Sequence, residues 1–340
     1  MTIVAAVLIF CLLILSHEFG HFIMAKLNGV YVYDFSLGMG PKLFSIKGKE
    51  TIYVLRLLPI GGHCLMMGED EESDDARSFN KKKVWQRILV IAGGPVMNFL
   101  TAVLIFIVIY TMMGAPFTSN EVDSLIEGRA AEAAGLLPGD VIIEVNGQQI
   151  ISGADISPAL ALRLEGEPAS ILVERDGEII TFAIQPQYDE EGERWMIGIY
   201  MANKVARQDF FTAIGLGFKN SFLFTKEILL ALVGMVAGQV EADVTGPIGV
   251  VNIISEATTY GLRPLLLITA ILCVNLAVVN LLPVPALDGS RIVFLLVEGL
   301  RGKPLNRERE GMVHFIGLML LFALMIFITF KDIMRLIGGQ

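Results

Sequence analysis

Four long stretches of the chain carry almost no charged side chains: Thr2 to Ala25, Ile88 to Met113, Pro264 to Leu296 with an interruption, and Val313 to Phe330. A helix needs about 20 mainly apolar residues to cross the hydrocarbon core of a bilayer. Each stretch therefore predicts a membrane-spanning helix, and an even number puts both ends on one side. Phe210 to Ala237 is also apolar, but Lys219, Lys226 and Glu227 interrupt it without segregating to one face. It is expected to form an interfacial helix pair on the outer surface rather than a further span. Between the first two spans, LFSI and TIYVLRLL flank the polar turn Lys47-Gly48-Lys49-Glu50, which predicts a membrane-adjacent β-hairpin over Lys42 to Gly62.

Composition agrees with a membrane protein. Of 340 residues, 54% are hydrophobic and 18% charged, with a mean hydropathy of +0.63. A net charge of -9 leaves no basic face for nucleic acid. Charge position then orients the spans. The segment before Lys26 has no Lys or Arg, whereas the next loop carries Lys26, Lys42, Lys47, Lys49, Arg56, Lys81, Lys82, Lys83 and Arg87. The loop between the third and fourth spans carries Arg301, Lys303, Arg307 and Arg309. Both loops are expected in the cytoplasm, which leaves the acidic region from Gly114 to Asp209 outside. Cys11, Cys64 and Cys273 are odd in number, and two lie in apolar runs, so no structural disulfide is expected. The first run lacks a basic leader and is expected to stay in the mature chain.

Candidate chemistry sits inside the first span. His17-Glu18-Phe19-Gly20-His21 is H-E-x-x-H, and its imidazoles, four positions apart, share one helical face from which both can reach a single metal ion. Glu18 lies beside them, where a carboxylate can take a proton from a metal-polarised water. Such a short pattern also arises by chance. Within a span, however, each ionisable group costs at least about 2.5 kcal/mol unless it pairs, coordinates or lines a wet cavity. A zinc site accounts for all three groups together.

Catalytic zinc needs a third protein ligand and one open position. His63, His314, the cysteines and intramembrane carboxylates are candidates. Asp288 stands out because it lies in Asn280-Leu-Leu-Pro-Val-Pro-Ala-Leu-Asp-Gly289, where two prolines disturb the third run. Irregular backbone at that depth is tolerated where it is buried in protein or lines a cavity. Asp288 could also simply cap the helix that restarts there. His63 and His314 read as ordinary residues near the ends of membrane elements.

Between the second span and Asp209, Arg129-Ala-Ala-Glu-Ala-Ala-Gly135-Leu-Leu-Pro-Gly139-Asp140 runs into a β-branched strand and an Asn146-Gly147 hairpin turn. This resembles the core of PDZ domains, which add a peptide as an extra strand at a sheet edge. A spacer that blocks access to the membrane site is an equally weighted reading.

HEFGH in the first run, GGPVMN (Gly93 to Asn98) in the second, the PDZ-like segment and NLLPVPALDG in the third, in that order, resemble the site-2 protease family of intramembrane metalloproteases, especially the bacterial regulator-of-sigma-E group. The resemblance covers nearly the whole chain. It implies a polytopic α-helical membrane protein of about four transmembrane helices, with the hairpin and one inserted extracytoplasmic PDZ-like α+β domain. The divisions are residues 1–113, 114–209, 210–262 and 263–340, the third being amphipathic interfacial helices. It further implies Zn2+ held by His17, His21 and Asp288, Glu18 as catalytic base and Asn280 as a substrate-positioning residue. The implied substrates are membrane-spanning proteins such as anti-sigma factors and signal-peptide remnants. The implied location is the bacterial cytoplasmic membrane, with the active site toward the cytoplasm. Where the family often continues with glycine and histidine after Asp288-Gly289, this chain has Ser290 and Arg291. A non-hydrolytic metal transporter would have no obvious need for Glu18, and a PDZ scaffold would leave the intramembrane charges unexplained.

Overall fold

The computed structural model of the chain describes residues 2–69, 71, 73–162, 167–190, 192–239, 245–303 and 305–338. In chain order come α1 (Thr2–Leu27), β1 (Val32–Lys47), β2 (Ile52–Met66) and α2 (Val84–Val108). They are followed by β3 (Ala115–Leu125), α3 (Ala130–Ala133), β4 (Val141–Val145), β5 (Gln148–Gln149), α4 (Ile156–Ala161), β6 (Ala169–Arg175) and β7 (Glu178–Ile184). Then come β8 (Gln187–Asp189), β9 (Arg194–Met196), β10 (Ile199–Ala206), α5 (Phe210–Val236), α6 (Pro247–Tyr260), α7 (Leu262–Asn280), α8 (Asp288–Arg301) and α9 (Arg307–Gly338). Contacts divide the chain into one unit of residues 1–109 and 209–340 and a second of residues 110–208.

In the first unit, four helices are long and apolar enough to cross a membrane: Thr2–Leu27, Val84–Met113, Leu262–Asn280 and Glu308–Met334. They answer to the four apolar runs. Only 6% of the apolar window of α9 is buried, so its Phe315, Leu320 and Phe327 face outward, as a helix in hydrocarbon should. The third run divides. α7 stops at Asn280, Pro283 and Pro285 occupy the connection, and a separate helix restarts at Asp288. Asp288 thus begins α8 rather than lying within a span.

α1 and α2 meet through glycines. A methyl group on Gly20 would overlap the Gly93 carbonyl, and one on Gly93 would come 2.6 Å from the Gly20 carbonyl oxygen. Small residues allow this close approach in membrane helices, where association depends on packing. α5 is one continuous helix over Phe210–Val236 rather than the expected pair. It lies along α2 with Phe222 against Phe99 and Phe224 stacked on Phe106, at 5.1 and 5.9 Å between ring centroids.

The hairpin is longer than expected and folds back on itself. Asp34–Leu37 of β1 pairs with Ile52–Leu55 and also with Gly62–Leu65 of β2, while Phe44–Lys47 pairs with Ile52–Leu55 from the other side. Of Thr51 to Leu58, read from sequence as a hairpin strand, Ile52–Leu55 is therefore paired on both sides. Gly62 comes against Ile14 and Glu18 of α1, and the Phe35 and Tyr53 rings pack on Phe22 of the same helix.

The second unit is an antiparallel sheet in the order β10-β3-β4-β6-β7, with β5 added on β4 and β8 paired with β9. Val122, Ile142, Val145, Ile171 and Val173 alternate inward from its strands and pack with Leu136 and Leu160. Asn146 and Gly147 both have positive φ, at 50° and 82°, as the two-residue turn between β4 and β5 requires. Buried Asp140 accepts from Arg175 Nε at 2.6 Å and from the Leu137 N–H at 2.8 Å, which ties the turn before β4 to β6.

Candidate metal centre

The site is assembled from α1, α2 and the start of α8. His17 and His21 stand one turn apart on α1, with ring centroids 4.7 Å apart and planes at 84°. Their Nε2 atoms are 3.1 Å apart, and Asp288 Oδ2 lies 3.2 Å from the first and 3.5 Å from the second. Among the described residues, this is the one group of three whose ligand atoms lie together in the manner of a metal site.

Three observations test the fit to zinc. Ligands placed tetrahedrally at about 2.0–2.1 Å from zinc lie about 3.3 Å from one another, and the three separations here bracket that value. Asp288 Oδ2 is buried without a hydrogen-bond donor, a costly state that a cation would relieve. His21 Nδ1 lies 2.9 Å from the Val90 carbonyl oxygen. It must donate there, so its Nε2 lone pair is free to point at a metal. Two imidazoles and one carboxylate are a donor set that fits zinc, and all three residues line a cavity.

The backbone makes room for this cluster. A side chain at Gly94 of α2 would overlap His21 Nε2 and come 2.8 Å from His17 Cε1. A side chain at Gly289 would strike the carbonyl oxygens of Leu281 and Leu282, so only glycine lets α8 begin directly beneath the end of α7. His314 Nδ1 accepts the Ala286 N–H at 3.1 Å. Ala286 has a φ of 77°, in the left-handed region that disfavours residues with a side chain. The α9 histidine thus steadies the loop that delivers Asp288 and is not part of the metal cluster.

A cavity of about 250 Å³ opens beside the ligands, lined by Glu18, His63, Cys64, Glu69 and Arg291 among others. Glu18 shares its wall with the three ligands. A side chain at Gly62 would lie 3.0 Å from Glu18 Cγ, so Gly62 lies against the Glu18 side chain, and His63, Cys64 and Leu65 line the same cavity. Arg291 reaches across the cavity to an ion pair with Glu69. His63, read from sequence as an ordinary hairpin residue, belongs to the cavity wall, with Nδ1 2.7 Å from Ser36 Oγ. Asn280 ends α7 with Nδ2 3.4 Å from His17 Nδ1.

From sequence, Asn98 stands at the end of the GGPVMN motif without a role, and Ser16 is not singled out. Asn98 is fully buried on α2 between Ser16 and His17. A buried amide inside a span is the signal that could have found it.

The sequence matches Peptidase family M50 over residues 5–324. Over 98% of both chains it is 40% identical to a Clostridium perfringens protein with a provisional zinc-metalloprotease name. It is 32% identical to the Bacillus subtilis regulator of sigma-W protease RasP and 33% identical to the Bacillus licheniformis zinc metalloprotease RasP, each covering 98% of this chain and 99% of the relative. Matches of this extent include the helix that carries both histidines and the start of the helix that carries Asp288, and the chain belongs to Peptidase family M50, the site-2 protease family that its motifs resemble.

Proposed function

We propose that the chain is a zinc-dependent endopeptidase that hydrolyses peptide bonds within the membrane-spanning segments of other proteins. The observation that carries this reading is the meeting of His17, His21 and Asp288 at one point on the wall of a cavity that also holds Glu18. His17, His21 and Asp288 hold the ion, which when bound polarises the scissile carbonyl and makes water a better acid. Glu18 takes the proton of the attacking water and returns it to the leaving amide nitrogen. Asn280 holds the substrate backbone, since its amide can both donate and accept.

A substrate helix hides its carbonyls in internal hydrogen bonds and must open before it can react. The opened strand is received at Gly62–Leu65. This segment is paired with β1 on one side and lies next to Glu18, whereas Ile52–Leu55 is paired on both sides.

Residues 114–209 form a PDZ-like domain outside the membrane, whose sheet edge takes a peptide or whose bulk screens substrates. Residues 1–113 and 263–340 form the membrane parts, and 210–262 form amphipathic helices at the outer interface. The protein lies in the bacterial cytoplasmic membrane with its active site toward the cytoplasm. Anti-sigma factors and signal-peptide remnants are its substrate classes. The RasP relative's name as a regulator of sigma-W supports the first of these classes.

Replacing Glu18 by Gln and following cleavage of a reporter transmembrane substrate, with bound zinc measured in parallel, tests the proposal. Zinc retained and cleavage reduced by about 10²–10⁴-fold is the expected result. Undiminished cleavage removes Glu18 from its role, and a purified parent chain without stoichiometric zinc removes the metal centre.

A further inference from the structure

The two histidine ligands are not oriented alike. His21 donates its Nδ1 proton to a backbone carbonyl. His17 Nδ1 instead faces two side-chain amides, with Asn98 Nδ2 at 3.3 Å and Asn280 Nδ2 at 3.4 Å. When Nε2 of a neutral imidazole binds a metal, the ring proton sits on Nδ1 and needs an acceptor. The amide nitrogens would then present donors to a donor.

A half-turn of one amide supplies the acceptor and the other amide must then move off, and the surroundings decide which does which. The other end of the Asn98 amide touches Ser16 Oγ, and Ser16 Oγ also lies 3.0 Å from the Leu13 carbonyl oxygen. A hydroxyl can donate one proton and accept another. With Asn98 turned, the buried groups all have partners: His17 Nδ1 donates to Asn98 Oδ1, Asn98 Nδ2 donates to Ser16 Oγ, and Ser16 donates to Leu13, while Asn280, whose Nδ2 lies 3.4 Å from the same nitrogen, has to swing its amide away. Were Asn280 to turn alone, the Asn98 amide would still press a donor against the imidazole N–H. Asn98 is fully buried, so water cannot stand in for the missing acceptor. Asn280 is only half-buried.

We propose that Asn98 is the positioning residue of the metal site: its side-chain oxygen accepts the Nδ1 proton of His17, fixing the tautomer and aim of that ligand, with Ser16 holding the amide in the required sense. Asn280 is thereby released from the imidazole and left to the substrate. The same arrangement explains why α2 meets α1 through glycines, because the close approach brings Asn98 to the far side of His17. The inference rests on the zinc site proposed above.

Zinc affinity of the full chain in detergent, measured by chelator competition, tests it. Asn98→Leu fills the space without an acceptor and should weaken zinc binding by about 10–100-fold. Asn98→Asp keeps acceptors on both ends of the side chain and should bind within about threefold of the parent. Ser16→Ala removes the group that orients the amide and should weaken binding by a smaller factor, while Asn280→Leu should leave zinc affinity unchanged. A role in packing alone predicts the reverse order for the Asn98 pair, since leucine suits a buried site better than a carboxylate. Thermal melting of the metal-free variants separates misfolding from loss of the ligand's support. Should Asn98→Leu not fold, Asn98→Asp carries the test, and a loss beyond tenfold there overturns the role. A parent that holds zinc while Asn98→Leu holds it equally well overturns the role of Asn98 alone. A parent that holds none overturns the zinc site as well.

Discussion

Gly94 of α2 faces His21 of α1 so closely that a single added methyl group would overlap the imidazole Nε2. α2 therefore sets the space in which the His17 and His21 rings stand. Gly94→Ala should leave α2 intact, since alanine is the better helix former, yet push the imidazoles off target. A displacement of about 1 Å is worth about 100-fold in catalysis, and cleavage of a transmembrane reporter should fall by that order. Unaltered activity would mean that the ligands have more freedom than the contact allows.

Asp332 near the end of α9 accepts from the Gly249 N–H at 2.9 Å and the Gly246 N–H at 3.3 Å, and so caps α6 from a distant part of the chain. Gly246, at the N-cap position, has no side chain to do this. Asp332→Ala strands buried donors and should cost about 1–3 kcal/mol, seen as a lower unfolding temperature in detergent. A melting point equal to the parent's would show that the cap is dispensable.

The two segments of β2 make different predictions for substrate crosslinking. A cysteine at Leu65, beside the cavity, should form a disulfide with a cysteine near the scissile bond of a trapped substrate in a Glu18→Gln background. One at Tyr53, whose neighbours on both sides are strands of the hairpin itself, should not. Equal crosslinking at both positions would contradict reception at Gly62–Leu65.

In the second unit, acid should act through Asp140. Burial by itself would raise this carboxyl, but the Arg175 guanidinium and the Leu137 N–H hold it below the ordinary aspartate value. A carboxylate whose folded pKa is lowered stabilises above its unfolded value of about 3.9 and loses that contribution as pH falls through the folded value. Limited proteolysis of residues 110–208 in the full chain should therefore accelerate below about pH 4. Asp140→Asn should raise the rate at neutral pH and flatten the acid dependence. If the variant keeps the parent's acid profile, the Asp140–Arg175 pair is not its source.

Much of this protein was legible one residue at a time. The four spans follow from length and apolarity, because a bilayer accepts only long runs without charges. H-E-x-x-H places His17 and His21 together because a helix brings positions four apart onto one face. The turns at Lys47 to Glu50 and Asn146-Gly147 follow from local backbone preference. What the linear order could not contain was every relationship between segments. The pairing of Ile52–Leu55 on both sides and the path of Gly62–Leu65 past Glu18 depend on how the hairpin folds back, which alternation of side chains does not specify. The cavity position of His63, the use of His314 to brace the Asp288 loop, the continuity of α5 and the seat of Asn98 behind His17 all arise when helices meet at backbone distance. Local patterns report the energy of a residue in its own segment, whereas the metal centre is set by contacts between residues far apart in sequence, and only the packed chain brings those together.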